Sequence, residues 1–393
     1  MLTVPEALAR ILALLSPVGV ETIPLAEAAG RVLAEPVRAT RDQPPFRTTA
    51  MDGYAVRAAD CAPGRALRVV GEAPAGRAWT GRLGPGEALR IFTGAPMPEG
   101  ADAVLIQEDA ERAGDIVTAR ATASPGDHVR PQGLDFRADD VVPAPRRLAP
   151  ADVALIAAMG AAQVVVRRRP RVALLPTGDE LVEPGAAPAP DQIFASNHYG
   201  LAALLAAQGA APRLEPIAPD RPEALAAALR RAADADLIVT LGGASVGDYD
   251  LVGAALGERA FYKVAMRPGK PLMAGRVEGA PVVGLPGNPV SAMVCGHVFL
   301  RAAVDALLGV PAAAPVRETA VLGCAVAAEG PREHYRRARL SRRDGALVAT
   351  PYEQQDSSVL SLLAGADALV VRPAHAPPAA EGDRVAFIRL RDA

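Results

Sequence analysis

The segment from residue 170 to about 310 alternates between β-prone and helix-prone stretches, and this alternation constrains the fold more than any other feature. RVALLPTG, ADLIVTLGG and APVVGLPG are apolar runs that end in glycine turns. Helical spacing is found in SNHYGLAALLAAQG, RPEALAAALRRAAD and NPVSAMVCGHVFLRAAVDALLG, and PRLEPIAP adds a further predicted strand. Alternating strands and helices with short loops predict a mostly parallel sheet with helices on both faces. The predicted fold class is therefore a three-layer α/β domain within a larger, multidomain chain.

The segments on both sides of this region follow a different pattern. Residues 1 to about 40 predict a helix in VPEALARILALL, a short strand in VETIPL and a second helix in LAEAAGRVLAEPV, broken by Gly30 and Pro36. From 41 to 136, proline and glycine recur between short runs such as LRVVG and DIVTARA, which predicts a β-rich domain with many turns. Residues 137–168 contain a predicted helix and strand. Short strands return from 312 to 393 and predict a small β-barrel.

Composition excludes several classes of protein. The 393 residues exceed one typical domain, and 42 basic residues nearly balance 44 acidic ones. A net charge of -2 gives no global attraction to nucleic acid or to an anionic membrane. Cys61, Cys295 and Cys324 are far apart and fit neither a disulfide framework nor a zinc site. No stretch approaches the roughly 20 apolar residues of a membrane span. We therefore expect a cytoplasmic protein that binds neither nucleic acid nor membrane.

The positive charges are distributed in an unusual way. The chain contains only two lysines, Lys263 and Lys270, and both lie in the segment YKVAMRPGKP, whereas every other basic side chain is arginine. A codon bias toward arginine explains the scarcity of lysine, but chance rarely places the only two lysines of a chain in one short segment. Lysine is a compact point charge suited to phosphate, whereas arginine is a planar fork. The pair therefore indicates a local anion site.

Three glycine-containing turns follow predicted strands of the α/β segment. Their sequences are LLPTGDEL, TLGGASVGDYD and GLPGNPVS. In an open parallel sheet, ligands bind beyond the carboxyl ends of the strands, where glycine lets the backbone approach a phosphate. Each turn alone is ordinary, and Asn288 and Pro289 also suit the start of a helix. Together with the lysine segment they predict a ligand that carries phosphate. None matches GxGxxG or GxxxxGK[ST], which argues against a dinucleotide or a Walker-type nucleotide site.

Five stretches in fixed order give the chain a specific resemblance. TTAMDGYAVR (residues 48–57), LPTGDEL, GGASVGDYD, RPGKP and GLPGNPVS resemble the signature stretches of MoeA-like proteins, a family that includes the E domain of gephyrin and its plant counterpart. The resemblance runs essentially from end to end. It implies an enzyme that uses Mg²⁺, adenylylated molybdopterin and molybdate to produce molybdenum cofactor and AMP.

The resemblance also implies a domain organisation and an assembly. Residues 1–40 and 137–168 would form one discontinuous linker and dimerisation domain, and 41–136 a β-rich arm. Residues 169–311 would form the MogA-like α/β domain that binds molybdopterin, and 312–393 a C-terminal β-barrel. The family implies a homodimer in which the arm of one subunit completes the site in the α/β domain of the other. Other proteins of molybdenum cofactor biosynthesis are further expected partners.

The residues that match the family's site fall into three groups. The acids are Asp52, Asp135, Glu180, Asp220 and Asp250, of which Glu180, Asp220 and Asp250 are the candidate ligands of Mg²⁺. The cations are Lys263, Arg267, Lys270 and Arg337. The remaining predicted substrate-binding residues are Thr177, Gly178, Gly242, Gly243, Ser245, Pro286, Gly287, Asn288, Pro289 and Ser357.

Some of these matches leave alternatives open. Asp220 also suits the N-cap of the helix that starts near Pro222. Arg267 stands where lysine is common in the family, and YEQQDSS matches the C-terminal pattern poorly. The enzyme alternative is a MogA-like molybdopterin adenylyltransferase, which is usually a single domain. The alternative of a different class is a scaffold without catalysis, like the E domain of gephyrin. A preference for tungstate over molybdate is also compatible with the sequence.

Overall fold

The computed structural model describes residues 1–243 and 251–391, and it divides the chain into two compact units. One unit comprises Met1–Glu21, Gly30–Val32 and Val166–Ala393, and the other comprises Thr22–Ala29 and Leu33–Val165. We refer to them as the catalytic-domain unit and the arm unit, respectively. Ser245 and Asp250, two of the predicted site residues, lie outside the described residues.

The N-terminal segment begins with a well-capped helix. The elements here are helix α1 (Val4–Leu12) and strands β1 (Val20–Pro24), β2 (Val32–Leu33) and β3 (Val37–Arg38). Thr3 and Glu6 form a reciprocal capping box at the start of α1, which satisfies backbone N–H groups that the helix leaves free. The second helix predicted in LAEAAGRVLAEPV is wrong. Only a 3₁₀ turn forms at Leu25–Glu27. The left-handed backbone of Gly30, at φ +75°, cannot continue a right-handed helix, and strand β2 follows at Val32–Leu33.

The arm unit is β-rich, as its spacing of glycine and proline predicted. Its principal elements are β4 (Thr48–Thr49), β5 (Gly53–Val56), β6 (Ala66–Ala73), β7 (Glu87–Ile91), β8 (Ala103–Ile106), β9 (Ala110–Ala113), β10 (Ile116–Ala119), β11 (Val129–Arg130), β12 (Val141–Val142), β13 (Arg146–Arg147), α2 (Pro150–Ala158) and β14 (Gln163–Arg167). Strands β8-β5-β7-β6-β10-β9 form a six-stranded sheet in that order. The motif TTAMDGYAVR supplies its interior strand β5, which is buried along its whole length.

The next part of the catalytic-domain unit is the predicted α/β domain. Its elements are β15 (Arg171–Pro176), β16 (Leu181–Val182), β17 (Ile193–Phe194), α3 (Asn197–Gln208), β18 (Ala211–Leu214), α4 (Pro222–Ala232), β19 (Leu237–Leu241), α5 (Leu251–Ala255), β20 (Glu258–Tyr262), β21 (Met266–Arg267), β22 (Met273–Val277), β23 (Ala280–Leu285), α6 (Pro289–Cys295) and α7 (Arg301–Leu307). The main sheet has the order β18-β15-β19-β23-β22-β20. Its first four strands are parallel, and β22 and β20 continue it in antiparallel pairing.

Alternate residues of the central strands face two separate cores, which explains why these strands read as continuous apolar runs. Leu174 and Val239 belong to a core that also includes α1, α3 and the long helix after Asn288. Ala173 and Ile238 belong to a core closed by α4 and by Val252. A parallel sheet covered on both faces needs apolar residues at every position. The prediction of a three-layer domain is confirmed.

Helices α6 and α7 form one continuous helix, Pro289–Leu307, joined by a π-helical turn at Gly296–Leu300. Among the described residues this is the one helix long and apolar enough to pass a length-and-composition test for a membrane span. Its most apolar window is 72% buried inside the fold. Burial in the core next to α3 therefore accounts for its apolar character.

The C-terminal segment closes into the predicted barrel. Its elements are β24 (Glu318–Leu322), β25 (Glu333–Arg343), β26 (Ala346–Pro351), α8 (Leu360–Ala364), β27 (Ala368–Arg372) and β28 (Arg384–Arg389). Strands β25-β26-β24-β28-β27 pair in sequence, and β27 pairs back with β25. The five strands therefore form a closed barrel, filled by small and aromatic side chains such as Ala338, Ala349 and Phe387.

We expect Gly53→Ala to destabilise the arm unit by about 1–3 kcal/mol. A Cβ at this position would lie 2.2 Å from the carbonyl oxygen of Leu105 on the neighbouring strand, so the backbone would have to move. Urea unfolding can be followed by the fluorescence of Trp79, the only tryptophan of the chain. Gly84→Ala is the matched control, because its Cβ would meet only the end of the flexible Glu87 side chain. Equal midpoints for both variants would contradict this interpretation.

Candidate functional site

Three turns meet at the carboxyl ends of adjacent strands. The backbone N–H of Thr177, after β15, donates to the carbonyl oxygen of Leu241 at the end of β19 (2.9 Å). The N–H of Gly242, after β19, donates to the carbonyl oxygen of Leu285 at the end of β23 (3.2 Å). The parallel ladder therefore continues one residue beyond each strand, and it holds the three predicted turns next to one another.

Glycine is required where the turns approach most closely. Gly242 has φ +96°, and a Cβ there would lie 2.6 Å from the carbonyl oxygen of Thr177. Gly243, at φ +61°, lies against the Thr177 hydroxyl, at 3.0 Å from an added Cβ. A side chain at either position would push the first and second turns apart. Gly242 and Gly243 therefore allow the first and second turns to pack closely. Because they lack side chains, they also leave their backbone accessible.

A cavity of about 610 Å³ lies over the three turns. Its volume is typical of a small-molecule or cofactor site. The predicted site residues that line it are Thr177, Glu180, Asp220, Gly242, Gly243, Lys263, Lys270, Pro286, Gly287, Asn288 and Pro289. Segments that are far apart in sequence thus converge on one cavity, as the resemblance implied.

Other predicted residues do not line this cavity. The N–H of Gly178 donates to the carbonyl oxygen of Ala218 (3.1 Å). Arg267 is exposed on β21. Asp52 and Asp135 belong to the arm unit. The Asp52 carboxylate accepts hydrogen bonds from the N–H (2.7 Å) and the hydroxyl (2.8 Å) of Thr93, and these bonds hold its pKa below the usual range.

Both lysines of the chain line the cavity. Lys263 is half-buried, and its Nζ lies 4.7 Å from the ring centroid of Tyr262. The carbonyl oxygen of Lys270 accepts a hydrogen bond from the N–H of Val264 (3.1 Å), which fixes the two lysines on one loop. Within the described part of the chain, no carboxylate lies within ion-pair distance of either ammonium group. Two cations without a carboxylate partner among the described residues therefore line the cavity, and such charges favour an anionic ligand.

Carboxylates form another part of the cavity wall. Partial burial raises the pKa of Asp220, and the nearby carboxylates of Glu180 and Asp179 raise it further. The N–H of Asp220 donates to Asp179 Oδ1 (3.2 Å). Helix α4 has Arg221 as its N-cap and Pro222 in its first turn, so the N-cap alternative for Asp220 is wrong. Asp220 is instead one of several acids that repel each other at the edge of the cavity.

Hard oxygen donors are present, but a complete metal site is not visible. Within residues 1–243 and 251–391, no group of three or more His, Cys, Asp or Glu side chains is placed to hold a metal ion. Two of the three predicted Mg²⁺ ligands, Glu180 and Asp220, line the same cavity. The third, Asp250, lies outside the described residues. The oxygen chemistry of the two described acids suits Mg²⁺.

The C-terminal domain reaches the cavity through the segment after β26. Asn288 is the N-cap residue of α6, but its side-chain amide donates to Ser357 Oγ (3.1 Å) instead of capping the helix. The N–H of Val290 donates to the carbonyl oxygen of Ser357 (3.1 Å), and the neighbouring Ser358 lines the cavity. The poorly matching YEQQDSS segment therefore docks on the start of helix α6.

Arg337 supports this segment from the face of β25 that points away from the barrel interior. Its side chain is 1% exposed, and its guanidinium donates to the carbonyl oxygens of Val359 (2.8 Å) and Gln354 (3.3 Å). Its backbone N–H donates to the side-chain oxygen of Gln355 (3.0 Å). Burial lowers the pKa of this guanidinium. Arg337 thus holds the serine segment in place, whereas the resemblance had implied direct contact with substrate.

Sequence reasoning missed one whole side of the cavity. This side is the β16–β17 pair and the start of α3, which contribute Leu181, Ile193, Phe194, Ala195, Ser196, Asn197 and His198. The Asn197 amide donates to the carbonyl oxygen of Gly287 (2.7 Å), which ties α3 to the third turn. His198 is 1% exposed, and its Nε2 lies 3.8 Å from Glu183 Oε2. The sequence feature that could have indicated this side of the cavity was the polar pair Ser196 and Asn197 at the start of a predicted helix.

The raised pKa of Asp220 leads to a test of stability against pH. In buffer without divalent metal ions, Asp220→Asn should raise the melting temperature at pH 7, because it removes a carboxylate that its neighbours repel. The carboxyl group of Asp220 binds its proton more tightly in the folded protein than in the unfolded chain. The ionised carboxylate therefore destabilises the fold, and this loss of stability is complete at pH values above the folded pKa. The gain should therefore shrink as the pH falls through the folded pKa and vanish below the unfolded one.

Asp356→Asn is the matched control with the opposite sign. Hydrogen bonds from the Ser358 hydroxyl and N–H lower the pKa of Asp356, so its ionised form stabilises the fold above the unfolded pKa. This variant should have a lower melting temperature at pH 7, and the loss should vanish in acid. The same sign for both variants, measured by differential scanning calorimetry, would refute the repulsion at Asp220.

Comparison with known proteins identifies three family regions in order along the chain. The MoeA N-terminal region (domain I and II) family matches residues 2–160, a probable molybdopterin binding domain matches 173–306, and the MoeA C-terminal region (domain IV) matches 319–390. The chain is 39% identical over 380 residues to "Molybdopterin molybdenumtransferase 2" of Mycobacterium tuberculosis, covering 93% of each chain. It is 43% identical over 303 residues to "Molybdopterin molybdenumtransferase" of Nostoc, covering 74% of this chain and 70% of that one.

A solved structure shows the same similarity in three dimensions. The "molybdopterin biosynthesis moeA protein" of Pyrococcus horikoshii superimposes with a TM-score of 0.86 and 27% identity, covering 99% of this chain and 100% of the other. The similarity therefore extends through both units and the barrel, and it is not confined to the α/β domain. On its sequence and on its fold, the chain belongs to the MoeA family.

Proposed function

We propose that this protein is a molybdopterin molybdenumtransferase, which inserts molybdate into adenylylated molybdopterin and yields molybdenum cofactor and AMP. The observation that carries the proposal is the 610 Å³ cavity, in which three backbone turns and the only two lysines of the chain converge. Both substrates are anions, and both lysines lack a carboxylate partner among the described residues. The relatives with 39% and 43% identity carry the name of this activity.

Each part of the cavity has a separate task in this reaction. Lys263 and Lys270 hold molybdate or the terminal phosphate, because a compact ammonium group neutralises an oxyanion without a fixed orientation. The glycine turns around Gly242 and Gly287 bring backbone N–H groups close to the phosphates of the adenylylated pterin. Asn288 and the serine segment close the side formed by the C-terminal domain. Binding in this way positions the molybdate next to the dithiolene and the phosphoanhydride bond.

Mg²⁺ is the cofactor that we propose for this site. Glu180 and Asp220 would hold it, together with Asp250. Partial burial and the neighbouring carboxylates raise the pKa of Asp220, and a divalent cation would relieve the repulsion between these acids, which supports the assignment. When bound, the metal ion supplies charge withdrawal from the phosphoanhydride, which favours the departure of AMP. Without it, the acids would repel both substrates.

We further propose that the protein acts as a cytoplasmic homodimer, with Asp52 and Asp135 completing the site of the partner subunit. Both acids lie in the arm unit, and neither lines the cavity of the catalytic-domain unit. Thr93 holds the Asp52 carboxylate in its ionised form, so a defined anionic group is presented on the arm. Other proteins of molybdenum cofactor biosynthesis are the further partners, since the product must pass to them.

The proposed reaction makes a direct prediction about AMP. The purified protein should release AMP from adenylylated molybdopterin only when both molybdate and Mg²⁺ are present, and a chelator should stop the release. Lys270→Ala should lower kcat/KM about 10- to 100-fold, because one charge-assisted contact contributes about 1.5–3 kcal/mol. AMP is measured by chromatography.

Arg231→Ala is the matched control, because Arg231 is an exposed cation of helix α4 that does not line the cavity. Its kcat/KM should equal that of the unmodified protein. Synthesis of adenylylated molybdopterin from ATP would instead identify a MogA-like adenylyltransferase. A folded protein that releases no AMP under any of these conditions would be a scaffold.

The proposed sharing of the site between subunits can be tested by mixing two inactive variants. Asp52→Asn removes the arm acid, and Glu180→Gln removes an acid of the cavity. After subunit exchange, about half of the dimers contain one copy of each variant, and one of the two sites in such a dimer has both lesions. The other site has neither, so activity should recover to about a quarter of the unmodified level.

Exchange must be followed independently, for example with a fluorescently labelled subunit. If Asp52 acts on the cavity of its own chain, every site keeps one lesion in every dimer. Activity that stays at background after verified exchange would therefore exclude the shared site, whatever the result of the AMP assay.

A further inference from the structure

A second cavity of about 320 Å³ lies behind the first one, within the catalytic-domain unit. Its walls come from α3, the long helix Pro289–Leu307, α8 and the residues after β28. Most of the lining is apolar, with Met293, Leu360 and Leu363 as its largest aliphatic side chains. The first cavity carries lysines and acids, whereas this one has a volume that suits a small molecule but few charged groups.

The long helix changes its winding at this cavity. The turn Gly296–Leu300 is π-helical, in the middle of an otherwise α-helical segment. Such turns are rare and occur frequently at functional sites, since the extra residue costs regular hydrogen bonding. The second residue of this turn is His297, which lines the cavity. His297 therefore lies on the wall of the cavity where the long helix departs from regular α-helical winding.

His297 has an unused hydrogen-bonding atom. The side chain is 9% exposed, and its Nδ1 is buried without a hydrogen-bond partner. Burial and the neighbouring Arg301 together lower the pKa of His297 to about 4, so the imidazole is uncharged at neutral pH. The other ring nitrogen, Nε2, is not buried and has no hydrogen-bond partner among the described residues, so it is the atom that a ligand in the cavity can contact.

Arg391, the one Lys or Arg among the described residues that line this cavity, is already engaged. The Arg391 guanidinium donates from Nε to the carbonyl oxygen of Ala366 (3.1 Å), and it also contacts the carbonyl oxygen of Ala364. Asp367 Oδ1 lies 3.8 Å from the same guanidinium. The described residues of this cavity therefore present no free charge that would attract an anion such as a phosphate or molybdate.

We propose that this second cavity is a binding site for a small, uncharged heteroaromatic ring compound, held between the aliphatic walls and by one hydrogen bond to the imidazole of His297. The volume matches a fused two-ring compound without a phosphate group. This site is separate from the one proposed for molybdate transfer, and it does not depend on that activity. The flat aliphatic walls supply most of the affinity, and the single polar contact supplies selectivity.

The position of the cavity couples it to the first one. Ser196 and Asn197 line both cavities, and the Asn197 amide donates to the carbonyl oxygen of Gly287 in the third turn. On the opposite wall, Leu360 follows Ser358, which lines the first cavity. A ligand in the second cavity contacts both of these walls.

Two probes of equal shape test the proposal. Benzimidazole, studied at pH 8 where it is neutral, carries a nitrogen donor and acceptor, whereas indene has the same shape and no nitrogen. Ligand-observed NMR titration of the full-length protein should show binding of both, with benzimidazole about 5- to 10-fold tighter because of one hydrogen bond. His297→Phe should abolish this preference while it keeps the binding of indene. It should also leave the melting temperature unchanged or higher, because it removes the unpartnered nitrogen.

Substitutions that fill the second cavity show whether the two probe compounds bind there or elsewhere on the protein. Ala364→Phe should abolish the binding of both probes, since Ala364 lines the second cavity and not the first. Ala207→Phe, on an exposed position of α3, is the control and should bind like the unmodified protein. If Ala364→Phe unfolds the protein, the smaller substitution Ala364→Leu replaces it, and it should likewise abolish the binding of both probes.

Three results would overturn the proposal. These are no binding of benzimidazole to the unmodified protein, binding that survives both substitutions of Ala364, and an equal preference for benzimidazole in His297→Phe. The failure of AMP release in the activity assay would not bear on this site, because the probe titration requires no molybdopterin.

Discussion

The parallel pairing of β15, β19 and β23 is the interaction on which the rest of this structure depends. The ladder extends one residue past each strand, through the hydrogen bonds from Thr177 to Leu241 and from Gly242 to Leu285. This extension places three loops, more than a hundred residues apart at their extremes, at one edge of one sheet. The left-handed conformation of Gly242 then lets two of the loops pack directly against each other. Every other element of the first cavity is arranged around this edge.

The distribution of charge follows from the same arrangement. The chain as a whole is nearly neutral, so its attraction for anionic substrates has to be local. The loop that carries Lys263 and Lys270 brings both ammonium groups to the cavity without a carboxylate partner among the described residues. Glu180 and Asp220 lie on the same cavity, and partial burial together with the carboxylates of Glu180 and Asp179 raises the pKa of Asp220. Cations and acids thus coexist in one site, which suits the reaction and the metal ion that we propose.

The C-terminal barrel contributes through support as well as through contact. Buried Arg337 holds the segment between β26 and α8 by its carbonyl groups, and this segment presents Ser357 to Asn288 and Ser358 to the cavity. The weak match of YEQQDSS to the family pattern is compatible with this role, since backbone carbonyls and a glutamine side chain make most of the contacts. Helix α8 continues from the same segment and forms one wall of the second cavity. The two cavities are therefore connected through the barrel as well as through α3.

The sequence by itself determined the three-layer α/β domain, the β-rich arm, the barrel and the three glycine turns. These features depend on local periodicity and on turn residues, and ordered motifs added the MoeA family and half of the residues that line the first cavity. Local patterns failed where Gly30 stopped the second predicted helix, and where the start of helix α4 excluded Asp220 as its cap. Only the tertiary structure decided that Arg337 is buried, that Ile193, Phe194 and Asn197 complete the cavity wall, and that His297 keeps an unpartnered nitrogen. The physical reason is that burial and hydrogen-bond satisfaction depend on neighbours distant in sequence, which no local pattern encodes.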